Sequence, residues 1–100
     1  MRTLTTLAID TKQKKQLNKL VKREKERGVS PFAKMKHTPL PTLFKILDNI
    51  PPKLDLSKVE QIEYKLWDEI GERIYWLCDT TNQYNRIISL FDLPLYLQKM

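Results

Sequence analysis

The 100-residue chain predicts an all-α fold, a small bundle of three to four helices with an extended N-terminal arm and a proline-rich connection. Three observations carry that expectation. Apolar residues recur at helical spacing in several separate stretches. The only glycines are Gly28 and Gly71, too few for the turns of a sandwich or barrel. The six prolines fall between the apolar stretches or at their edges, where they start and stop helices. The length fits one domain, and 41% hydrophobic residues suffice for a modest core rather than a disordered chain.

The elements follow in order. Residues 1–10, "MRTLTTLAID", have β propensity in "TLTTLAI" but no evident partner strand, and read as an extended arm. Residues 12–27 read as a helix, with Asp10 as N-cap, Gln13 completing a capping box, and Gly28 at the left-handed C-cap. Leu17, Leu20 and Val21 form only a narrow apolar stripe, so this helix should lie across the rest of the fold or project from it. "VSPFAKMKHTPLP" carries Pro31, Pro39 and Pro41 and reads as a linker or an extended docking segment.

A second helix is expected over residues 41–50. Pro41 stands at its first position, Leu43, Ile46, Leu47 and Ile50 form its buried face, and Pro51 and Pro52 stop it. The third helix opens on the Ser57/Glu60 capping box and runs to about residue 79. Val59, Ile62, Leu66, Ile70, Ile74 and Leu77 share one face, widened by Trp67 and Cys78, and Gly71 permits close packing. A fourth helix covers residues 82–91, with Tyr84, Ile87, Ile88 and Phe91 inward and Asp79, Thr80 or Thr81 as its cap; it could also continue the third helix through a kink. "DLPLYLQKM" forms either a last turn started by Asp92 or a loose apolar tail. The single domain thus divides into arm and basic helix (1–29), proline-rich linker (30–41) and helical core (42–100).

The net charge of +6 is concentrated in one segment. Residues 12–27 hold eight basic and two acidic side chains, so the rest of the chain sums to zero. Cys78 is the only cysteine, which excludes an intrachain disulfide and suits a reducing cytosol. No apolar run reaches the roughly 18 residues that suggest a membrane span, and the N-terminus lacks the pattern of a signal peptide.

Catalytic equipment is not expected. His37 has no Cys, Asp or Glu at ligand spacing, so neither a metal nor a cofactor is expected, and it reads as a loop histidine. Cys78 lies on an apolar face with no histidine expected near it, and reads as an inert thiol. Asp68, Glu69 and Glu72 read as the solvated side of an amphipathic helix rather than as a general acid and base.

The basic helix leaves several readings open. It could be a solvated face or dock on the chain's own acidic side chains, such as Asp68, Glu69 and Glu72. It could follow a nucleic-acid backbone, although "PPKLDL" is not a helix-turn-helix connection. It could bind a protein partner whose groove takes the apolar stripe and whose rim meets the charges. A membrane surface fits less well, because the stripe lacks aromatic anchors. The candidate partner-binding residues are Lys12, Lys15, Lys19, Lys22, Arg23 and Arg27, with Trp76 as an aromatic hot spot off the core arc. Pro31, Pro39, Pro41, Pro51 and Pro52 form a candidate contact for a host prolyl isomerase.

"TKQKKQLNKLVKREKERG" followed by "SPFAKMKHTPLPTLFKILDNIPPKL" resembles the anti-RecBCD proteins of lambdoid phages, small accessories of phage recombination. The resemblance implies a non-enzymatic protein of the host cytoplasm that binds the host recombination nuclease through its RecC subunit and alters it. It transfers no functional residue. The expected function is that of a phage-type interaction protein modulating a host nucleic-acid-processing enzyme. The alternative is a direct nucleic-acid-binding module using residues 11–27.

Overall fold

The computed structural model describes residues 11–48 and 56–99. The arm with Asp10, and Ile50, Pro51 and Pro52, lie outside the described residues, as do the side chains of the Ser57/Glu60 box and of Val59. Among the described residues the all-α expectation holds. There are four α-helices, α1 (Thr11–Arg27), α2 (Leu40–Asp48), α3 (Leu56–Leu77) and α4 (Thr81–Leu90), then a 3-10 turn at Leu95–Leu97, and no strand.

The longest helix, α3, is the hub, and every other element packs on it. Its inner arc, Leu66, Ile70, Ile74 and Leu77, is buried as the 3.6-residue period requires. α4 packs on it through Tyr84, Ile87, Ile88 and Phe91, and the Phe91 ring meets Phe44 of α2 at 5.1 Å between centroids. α1 contributes Leu20 to the core, with Leu17 packed at its edge. This is the narrow stripe of a helix laid across the others.

Helix ends follow local chemistry. Gly28 closes α1 with φ 82°, its N–H donating to the Glu24 carbonyl at 2.8 Å. α3 and α4 are separate helices. Cys78 N–H closes a tight turn on the Tyr75 carbonyl, and the Thr80 hydroxyl accepts from Gln83 N–H at 3.1 Å as the cap of α4.

Two expectations are corrected, and of the two readings left open for the C-terminal segment the last turn holds. The buried arc of α2 is Leu40, Leu43, Phe44 and Leu47, and Ile46 is exposed. The helix begins one residue before Pro41, which makes Leu40 the first member of the i, i+3, i+4, i+7 set. The C-terminal segment is not a loose tail. Asp92 takes a left-handed φ of 55°, which turns the chain so that Leu93 and Leu97 are buried. The Leu97 carbonyl accepts from the Tyr84 hydroxyl at 2.8 Å, and Leu97 Cδ2 lies 3.2 Å from where a Cβ on Gly71 would stand. Gly71 therefore does permit close packing. The second correction concerns Glu69, which is buried rather than solvated.

Candidate functional site

The basic helix is fixed to the bundle at two places. In the first, its own acid is the anchor. Glu24 accepts from Arg73 Nε at 2.7 Å and from Nη2 at 3.1 Å. Arg73 is 1% exposed and also donates to the carbonyls of Met35 and Thr38, at 3.1 and 2.9 Å. Glu69, one helical turn earlier, lies 3.5 Å from Arg73 Nη1 and accepts from the backbone N–H groups of Lys34 and Met35. The Ser30 hydroxyl donates to Glu72 at 2.6 Å. Residues 30–38 are thus held to α3 and α1 through one buried guanidinium, and no described buried side-chain polar atom lacks a partner.

The second anchor lies where α3 ends. Arg23 Nη1 donates to the Leu77 carbonyl at 2.7 Å and Arg27 Nη1 to the Trp76 carbonyl at 3.3 Å. These carbonyls belong to the last turn, which leaves such acceptors without a helical donor. Asp79 receives Arg27 Nη2 at 2.8 Å and lies 3.6 Å from Arg23. The Arg27 hydrogen bond, followed by the Arg23 charge, holds the Asp79 carboxyl below its usual range.

Two of the predicted partner-binding residues, Arg23 and Arg27, therefore brace the fold. The predicted lysines do not. Lys12, Lys15, Lys19 and Lys22 are exposed, and none is in an ion pair with another described residue. α1 does dock on one of the chain's own acids, but that acid is Asp79 rather than Asp68, Glu69 or Glu72, which face Tyr96, Arg73 and Ser30. Trp76 is 39% exposed, and its carbonyl ties it to the Arg27 end of the basic helix. Pro31 and Pro39 are exposed and Pro41 is half-buried.

The other reactive groups are placed as follows. His37 is exposed. Cys78 is half-buried, and burial, opposed in part by Arg23, pushes its thiol up to about 11. Burial pushes the Tyr84 hydroxyl up to about 12. Among the described residues no three His, Cys, Asp or Glu side chains could hold a metal ion together, and no helix is long and apolar enough to cross a membrane.

Sequence reasoning missed Glu24, Glu69 and Arg73. Their signal was available in part, because Glu69 and Arg73 stand at i, i+4 beside the apolar arc of α3. It also missed a contact of α1 with α4. Gln13 Nε2 donates to the Leu90 carbonyl of α4 at 2.6 Å, and a groove of about 370 Å³ between α1 and α4 is lined by Gln16, Lys19, Lys22, Arg23, Glu26 and Gln83. No protein-family model, curated protein or solved structure matches the chain.

Proposed function

We propose that this protein is a small phage-type modulator that binds a host nucleic-acid-processing enzyme and alters it without catalysis of its own. The single observation that carries this reading is the division of labour along α1. Its arginines and Glu24 fasten the helix, while Lys12, Lys15, Lys19 and Lys22 are presented to solvent and form no ion pair with a described acid. Because α1 is already fastened, the helix that carries these cations need not be ordered on meeting an acidic surface, and the exposed Trp76 beside Arg27 supplies the aromatic anchor that protein interfaces favour. The resemblance to anti-RecBCD proteins makes the recombination nuclease, through RecC, the first target to test. A host prolyl isomerase is a second partner in this reading, because Pro31 and Pro39 are exposed on a segment anchored to the bundle.

Affinity capture from a nuclease-treated bacterial lysate tests the reading. A retained protein complex containing RecC is the expected result. Recovery of nucleic acid alone before nuclease treatment, and of nothing after it, would instead favour the alternative of a direct nucleic-acid-binding module built on α1. That alternative has its own support in α4, which adjoins α1 and contains no acidic residue.

A further inference from the structure

The flank of α1 that faces α4 has a different chemistry from the Trp76 end. Lys12, Gln16, Lys19 and Arg23 recur at i, i+4, i+7 and i+11, which places them on one side of the helix. The last three share the groove with Gln83. Beyond Gln83, α4 turns outward Asn82, Arg86 and Ser89, which border a shallow hollow on its exposed side. Lys12, Gln16, Lys19, Asn82 and Arg86 make no hydrogen bond or ion pair with another described residue. Gln83 accepts from Asp79 N–H through Oε1, which leaves its amide N–H groups directed elsewhere. Within α1 the carboxylates are Glu24, bound to Arg73, and Glu26.

The apolar anchors of this protein lie elsewhere. Phe32, Ile46, Tyr64, Tyr75, Trp76, Leu95 and Tyr96 are the exposed large hydrophobics, and none belongs to α1 or α4. A protein interface wants such anchors at its centre. A phosphate backbone instead takes Lys and Arg together with Asn, Gln and Ser donors, and these dominate this face, where Glu26 is the one carboxylate among the described residues lining the groove.

We infer that the α1–α4 face binds the phosphate backbone of nucleic acid through Asn82, Gln83 and Arg86 of α4 together with Lys12, Lys19 and Lys22, lysines that it shares with the proposed protein-binding row. The inference rests on the proposed reading only in that a modulator of a nucleic-acid enzyme works where such a strand is at hand. Lys12, Lys19, Lys22 and Arg86 supply the charge, and Gln16, Asn82 and Gln83 supply neutral donors between them. Arg23 stays with the Leu77 carbonyl and Asp79.

Fluorescence anisotropy of the full chain with a labelled 20-base-pair DNA duplex, titrated over a range of salt, tests this. Four phosphate contacts give a slope of log affinity against log salt of about −3.6. Lys19→Ala and Arg86→Ala should each weaken binding about three- to tenfold and reduce the slope by about one. Lys14→Ala and Lys25→Ala, on the opposite side of α1, should leave the slope unchanged. All four side chains are exposed, so circular dichroism should report unchanged helix content.

The inference is overturned if the duplex does not bind at 50 mM salt, if Lys19→Ala and Arg86→Ala match the parent, or if the Lys14 and Lys25 variants lose as much. It is also overturned if polyglutamate competes as well as unlabelled duplex, which would leave these lysines to the acidic protein partner alone. The two readings fail separately. Capture of the protein complex by an Arg86→Ala variant whose duplex binding is weakened and whose salt slope is reduced supports both. Capture without any duplex binding by the parent removes only the inference, and duplex binding without capture removes only the modulator.

Discussion

At the residue scale Arg73 matters most for stability. Its guanidinium is buried on α3 and joins Glu24 of α1, Glu69 of its own helix and two carbonyls of residues 35–38. Removing one partner of a buried pair leaves an uncompensated charge, which typically costs about 3–5 kcal/mol. Arg73→Met should therefore lower the unfolding free energy by about that amount in urea titrations. Glu24→Gln should cost less, because the Glu24 side chain keeps 14% of its exposure and neutral Gln can still accept a hydrogen bond. Equal losses from the two variants would show that burial of Arg73 is not the controlling factor. This network explains why the proline-rich segment reads as a linker in the sequence and is a docked segment in the structure. Its ties to Arg73 and Glu69 are backbone groups, and the Arg73–Glu24 pair spans 49 positions. Neither composition nor periodicity carries such a pairing. Thr80, by contrast, was legible, because a cap acts on the N–H three residues along.

At the scale of elements, legibility followed locality. α3 was readable from its period, and the end of α1 from Gly28. The register of α2 was misread because Leu40 and Ile46 are equally apolar, and only the packing of Phe44 on Phe91 selects between them. The burial of Leu97 depends on Gly71 and Tyr84, which are distant in sequence. The junction of α1 with α3 carries a pH prediction. The carboxyl of Asp79 has its pKa lowered in the fold from the ordinary 3.8, so its contribution to stability is fully present above that value. It is lost as pH falls through the lower folded value. The stability difference between the parent and Asp79→Asn should therefore be constant near neutrality, shrink in acid below about pH 4, and diminish with added salt, because the pair is exposed. A difference that grows on acidification would contradict the pairing of Asp79 with Arg27 and Arg23.

At the scale of the whole molecule, charge and apolar anchors are segregated. α1 and α4 present cations and amides, whereas the exposed aromatics belong to α3, residues 30–39 and the C-terminal turn. This arrangement lets fold and function be separated by mutation, provided the right cations are reversed. Reversing Arg23 or Arg27 would place a carboxylate against the last carbonyls of α3 and against Asp79, so lost activity would be confounded with lost structure. Lys15 and Lys22 carry no such duty among the described residues. Lys15→Glu/Lys22→Glu should keep its helical circular dichroism and stay within about 0.5 kcal/mol of the parent per site in urea unfolding, as exposed substitutions ordinarily do. Its capture of a protein partner should fall at least about tenfold, because opposed charges at an interface are replaced by like ones. Undiminished capture by a folded double variant would dissociate the cationic row from partner binding and leave Trp76 and its neighbours as the surface to test next.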